Sequence, residues 1–150
     1  MTERQFRRVV TGINEQGEST VIIDEVVSGL SEVPAVMLWR SNFPADNSGN
    51  VDAAVPFTPE VVHSGQALFN LCRFPARMPP VMHATDALDF LIVVSGRLTL
   101  VTENGEAHCG PGDCIVDRGV LHGWSNPHDE PCVVACVTLP AAPVGNGRTM

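Results

Sequence analysis

Along this chain the apolar residues fall in short, β-branched runs broken by turn residues, and almost no window carries the i, i+3, i+4, i+7 spacing of an amphipathic helix. The pattern predicts a succession of strands at 8–11, 20–24, 36–39, 67–74, 88–94, 98–102, 113–116 and 132–139. Asn104-Gly105, between LTLVT and EAHCG, predicts a hairpin with a type I′ turn, in which both central residues take positive φ. Ser95-Gly96 separates two further apolar runs. The polar segment 40–59, interrupted by three prolines, reads as a long surface loop or flap, and the closing AAPVGNGRTM as a frayed tail. Many short strands without helices make an all-β sandwich or barrel.

Composition narrows what such a domain does. At 150 residues the chain fits one domain, able to bury roughly 70% of the surface its unfolded form exposes. The net charge of −8, with no cation cluster beyond Arg4, Arg7 and Arg8, argues against a nucleic-acid partner. The N-terminus has no apolar leader and no stretch reaches membrane-spanning length, so the expectation is a cytoplasmic protein with no membrane partner. Five cysteines without a CxxC pair point to reduced thiols, and Cys132 and Cys136 share one strand face, where they act as small apolar residues.

The chemistry concentrates between Val81 and Asn126: His83-Ala84-Thr85, Asp89, Gly112-Asp113, Gly119, His122, Trp124 and Asn126. Period two places His83 and Thr85 on one strand face. Asp89 stands in the most apolar run, beside Leu88, Phe90, Leu91, Ile92 and Val93, where a carboxylate needs a partner: a metal, an imidazolium from His83 or His122, or solvent at a strand end.

The stretches H-A-T-D-A-L-D-F-L-I-V-V-S-G and G-D-C-I-V-D-R-G-V-L-H-G-W-S-N resemble the two-part signature of the cupin superfamily, across about a third of the chain. That signature has two histidines and a glutamate in its first part and a histidine in its second. Here Arg77 stands at the first glycine, Thr85 at the second histidine, Asp89 at the glutamate and Asp117 at a proline. The resemblance implies a cupin jelly-roll β-barrel of two packed antiparallel sheets. Its organisation would be one domain over 1–150: N-terminal strands and loop over 1–65, barrel motifs over 77–126, and a final strand and tail over 131–150.

The resemblance also implies that His83, Asp89 and His122 hold a divalent ion, Fe, Zn, Mn or Ni, with no organic cofactor. Thr85, Trp124 and Arg118 would line the pocket. The implied function is a metal-dependent enzyme acting on a small organic acid or carbonyl compound by decarboxylation, dehydration, isomerisation or elimination, or by dioxygenation with iron. The alternatives are a metal-free module that binds a small ligand, and acid–base catalysis by an Asp89/His pair. A homodimer through the apolar N-terminal strands, with Val9, Val10, Val21, Ile22 and Ile23, is also implied. His63, His108 and His128 read as surface residues, and Asp113 as a turn former.

Overall fold

The computed structural model describes residues 4–143, so most of the expected C-terminal tail lies outside the described residues. Ten strands follow one another: β1 (Arg7–Ile13), β2 (Ser19–Val26), β3 (Ala35–Ser41), β4 (Ala67–Phe74), β5 (Ala87–Ser95), β6 (Leu98–Thr102), β7 (Gly105–Cys109), β8 (Cys114–Asp117), β9 (His122–Ser125) and β10 (Cys132–Pro140). A single 3-10 turn, Pro59–His63, interrupts the long β3–β4 connection. Among the described residues there is no α-helix and no helix able to cross a membrane.

Every strand pairing is antiparallel. A five-stranded sheet runs β3-β4-β10-β5-β8, a three-stranded sheet runs β7-β6-β9, and β1-β2 form a separate hairpin. The two larger sheets share a core made of Leu91, Val93, Leu98, Ile115, Cys132, Val134 and Cys136, with Leu100 and Trp124 packed against it. Alternation explains the choice. Residues paired across a ladder share a face, so Asn70, Cys136, Leu91 and Ile115 form one inward row across β4, β10, β5 and β8. The row nearer one end is Leu68, Thr138, Asp89 and Asp117. This is the jelly-roll architecture that the sequence implies.

The opposite face of the five-stranded sheet is covered at one end by a second cluster, where Leu30 and Phe6 pack over Leu38, Leu71 and Val133. Elsewhere on that face Phe69 and Phe90 stay exposed. β3 carries a bulge between Met37 and Trp39. Met37 faces the barrel with Asn70, whereas Leu38 and Trp39 both lie on the outer side, Trp39 opposite Phe69.

The β6–β7 hairpin differs from the expected turn by one residue. Thr102 pairs with Gly105, so Glu103 and Asn104 are the central residues, and only Gly105 takes a positive φ, of 132°. Gly96 has φ of 75°, and a Cβ there would stand 2.3 Å from the Pro131 carbonyl oxygen. Arg77, at the position of an expected glycine, keeps that residue's backbone: its φ is 60°, positive in no other non-glycine among the described residues. Its backbone N–H donates to the His128 carbonyl (3.0 Å), its Nη1 to the Pro127 carbonyl (2.8 Å), and its Nε to Asp129 Oδ1 (2.7 Å).

Candidate functional site

Strand directions bring the chemistry to one end of the barrel. β8 ends on Asp117, β9 begins on His122, β5 begins just before Asp89 and β10 ends just after Thr138. The connection from β4 to β5 returns across this end, and His83 within it makes an isolated antiparallel bridge to His122. The backbone N–H of each donates to the carbonyl of the other, at 2.8 and 2.9 Å, and the two imidazole centroids stand 4.4 Å apart.

Both imidazoles are oriented in the same way. His83 Nδ1 lies 2.9 Å from the Val81 carbonyl oxygen and His122 Nδ1 lies 2.7 Å from that of Val120. A carbonyl only accepts, so each Nδ1 carries a proton and each Nε2 is turned toward other groups. His122 Nε2 comes within 2.8 Å of Asp117 Oδ2, both side chains being 2% exposed. The His122 ring is thereby flanked by two acceptors, and the contact with Asp117 is served by an imidazolium. The approach is close but not aligned, and Oδ2 is left without a well-directed donor.

Asp117 is held by its own turn: Oδ1 accepts the Gly119 N–H at 3.0 Å. Gly119 has φ of 74°, and a Cβ there would stand 2.2 Å from the Thr85 carbonyl oxygen. The Thr85 N–H donates back to the Gly119 carbonyl at 3.2 Å. This glycine therefore locks the His83–Thr85 segment against the turn that carries Asp117.

Asp89 occupies the next strand and pairs in register with both Asp117 and Thr138. Its Oδ1 accepts the Thr138 hydroxyl at 2.6 Å, and Thr138 Oγ1 lies 3.6 Å from Cys136 Sγ. Burial pushes the Asp89 carboxyl above the ordinary range and the neighbouring Asp117 adds to it, against the opposing hydrogen bond from Thr138. For His122, burial alone acts to lower the value, but the contact with Asp117, the Val120 carbonyl and the charge of Asp89 together raise it above that of a free imidazole.

The structure thus brings His83, His122 and Asp89 to one end of the barrel, and the carboxylate nearest His122 is Asp117. Thr85 Oγ1 is buried with no hydrogen-bond partner, as is Asn70 Oδ1. Trp124 stands edge-on to His122 at 5.6 Å and contacts Phe74 at 5.9 Å, so it is both wall and core. Arg118 is exposed beside the turn. His63 is exposed, His128 is partly buried, and His108 Nδ1 pairs with Thr99 Oγ1 at 3.0 Å. Asp117 and Thr138 are the residues that sequence reasoning passed over. The signal was period two, which sets Asp117 on the face of Ile115 and Thr138 on the face of Cys136.

A divalent ion matches these donors in kind but not in assembly. Bonds of about 2.1 Å meeting at a right angle put two ligand atoms about 3 Å apart, close to the His122–Asp117 separation. No third donor completes the set: among the described residues no group of three His, Cys, Asp or Glu side chains is close enough to hold an ion. As they stand, the side chains do not form the ion cage that the motif implies.

Comparison with known proteins agrees with this architecture. The family described as Cupin domain matches residues 71–138, from β4 to β10. The chain is 24% identical over 132 residues to the cupin-domain-containing oxidoreductase srdD of Neurospora crassa, covering 82% of this chain and 67% of that protein. It is 33% identical over 88 residues to the oryzines biosynthesis cluster protein J of Aspergillus oryzae, covering 57% of this chain and about half (49%) of that one. Among solved structures it resembles a Cupin 2 conserved barrel domain protein from Salinispora arenicola, at 23% identity and a TM-score of 0.46, over 51% of this chain and 65% of that one. The family match, in keeping with the barrel and the paired motifs, identifies a cupin domain over residues 71–138 of the chain.

Proposed function

We propose that this cupin is an enzyme that moves a proton on a small organic acid or carbonyl compound, as in isomerisation, dehydration or β-elimination, with the buried His122–Asp117 pair as its acid–base group. The observation that carries the reading is His122 itself: Nδ1 is committed to a backbone carbonyl, and Nε2 faces a buried carboxylate at 2.8 Å. A proton on Nε2 is therefore the one that can leave or arrive. The contact with Asp117 makes His122 hold that proton to higher pH than a free imidazole does, which suits a general acid. Asp89, held by Thr138, supplies a second carboxyl on the same inner row. Thr85, Trp124 and Arg118 are assigned to the rim and wall that receive the substrate.

Solvent exchange tests this without knowledge of the full reaction. The protein, stripped by a chelator, is incubated in D2O with a panel of small oxo and hydroxy acids, and deuterium uptake at carbon is followed by NMR. The expected result is catalysed uptake with at least one compound, slowed about 10²-fold or more in His122→Gln. Absence of exchange across the panel overturns the reading. Activity lost on chelation and restored by Fe, Zn, Mn or Ni favours instead the ion held by His83, Asp89 and His122 that the motif implies.

A second reading, a cupin that binds a small ligand in the barrel without converting it, draws on two buried oxygens without partners, Asn70 Oδ1 and Thr85 Oγ1. A ligand rich in N–H or O–H groups would satisfy them. Thermal stabilisation by such a compound with no turnover is its signature. The homodimer implied by the resemblance would use the hairpin face bearing Val9 and Val21, 50% and 53% exposed, and sedimentation velocity of the wild type against Val21→Lys reads it.

A further inference from the structure

Outside the barrel, a cleft of about 770 Å³ opens between the β1–β2 hairpin, the end of β3 and the loop that follows it. Its size lies within the range of small-molecule sites, about 300–1,000 Å³. None of His83, Asp89, Asp117 and His122 lines it. From Arg40 on β3 to Asp117 on β8 the sheet spans four strand spacings, about 19 Å, so the cleft is a separate place on the molecule.

Its loop wall is held in position. The side chain of Asn50 imitates a strand partner for Ile13, donating Nδ2–H to the Ile13 carbonyl at 2.6 Å and accepting the Ile13 N–H at 3.1 Å. Only glycine fits beside this contact, since a Cβ on Gly12 would stand 2.5 Å from Asn50 Oδ1. Two residues on, Asp52 takes both terminal nitrogens of Arg8, at 2.9 and 2.6 Å. Arg40 Nε donates to the Ala53 carbonyl at 3.1 Å. A wall anchored at three points is pre-organised, which lowers the ordering cost of binding.

The lining defines the ligand class. Trp39 supplies an aromatic surface, while Asn42, Asn47, Gln66, Thr11 and Ser41 supply neutral donors and acceptors. Asp52 shares the Arg8 guanidinium with Glu25, and the remaining lining charges, Arg40 and Asp46, are opposite in sign. No surplus cation is left for a phosphate or carboxylate. An aromatic wall with uncharged amides and hydroxyls around it matches a molecule that has apolar faces and many hydroxyl groups.

We propose that this cleft is a binding site for a neutral saccharide, with Trp39 against the sugar face and Asn42, Asn47 and Gln66 bonding its hydroxyls. The chain has two tryptophans, so its spectrum holds two indole N–H resonances, which Trp39→Phe assigns. Neutral mono- and disaccharides such as glucose, xylose and maltose are titrated into the wild-type protein, with glucuronate and glucose 6-phosphate as charged counterparts.

The expected result is a saturable shift of the Trp39 resonance with a neutral sugar, an unmoved Trp124 resonance, and at least tenfold weaker binding of the charged counterparts. Asn50→Ala, which frees the wall without removing a lining group, weakens binding about fivefold or more. A Trp39 resonance that no neutral sugar moves overturns the proposal. So does a charged counterpart that binds as well, or an Asn50→Ala variant with unchanged affinity.

Discussion

Replacing Asp117 by asparagine removes the charge opposite His122 while keeping its volume. Both side chains are 2% exposed, so solvent screens the pair little. Breaking a buried pair by removing one partner costs about 3–5 kcal/mol while the other charge remains. The imidazole escapes part of this by releasing its proton, which leaves a mismatched polar contact worth about 1–3 kcal/mol. A loss of about 3 kcal/mol at pH 6 follows, or a fall in Tm of roughly 9 °C for a chain of this length.

The pH dependence is the sharper part. The folded-state value of His122 is raised, so the stability it contributes is complete below the unfolded value of about 6.5 and is lost as pH rises through the folded one. The gap between wild type and Asp117→Asn therefore narrows from pH 6 to pH 9. Urea denaturation at pH 6, 7.5 and 9, with the slope m checked for constancy, measures it. A gap that is the same at all three values, or smaller than about 0.5 kcal/mol at pH 6 against the 3–5 expected of a buried pair, refutes the pairing.

Thr138→Val removes the donor to Asp89, so the carboxyl holds its proton to still higher pH, and the carboxyl carbon shift of Asp89 followed against pH reads the change. Gly119→Ala forces a Cβ into the Thr85 carbonyl on a left-handed backbone, and a loss of about 3 kcal/mol or more is expected in chemical denaturation, because both the contact and the φ are unfavourable. Arg77→Gly relieves about 1–2 kcal/mol of backbone strain against an exposed ion pair worth at most about 1 kcal/mol, so the variant is as stable as the wild type or more so, by the same measurement. Iodoacetamide modifies the exposed Cys114 first, and Cys132 and Cys136, both buried with their thiols pushed up, last; mass spectrometry of tryptic peptides gives the order.

Much of the barrel was legible because strands buried on one face write a period of two into the chain. The runs at 67–74 and 98–102 coincide with β4 and β6, and Cys132 and Cys136 do fall together in the core. β9 was not: His122-Gly123-Trp124-Ser125 holds a glycine and one large apolar residue, and it is a strand because β6 and the His83 bridge flank it. The Asn104-Gly105 turn slipped by one residue because ladder register, not the dipeptide, decides which positions are central. At the site, His83, Asp89 and His122 stood out by residue type, whereas Asp117 looked like a mere departure from a motif. Its significance depends on Gly119 folding the chain so that residues five apart meet, a three-dimensional fact that spacing alone does not carry.

The bulge in β3 sets which side of the sheet the indole of the saccharide cleft stands on. Strict alternation would put Met37 and Trp39 on one side of the sheet; the extra residue puts Met37 in the barrel and Trp39 outside it. Were the strand straightened with every residue kept, Leu38 would stand against Phe69 and the indole would turn inward over Leu68, leaving the outer cleft without its aromatic wall. A chain lacking Leu38 would run in plain alternation with Trp39 still opposite Phe69, so the extra residue is what lets one strand give the outer face both Leu38 for its apolar cluster and the indole for the cleft.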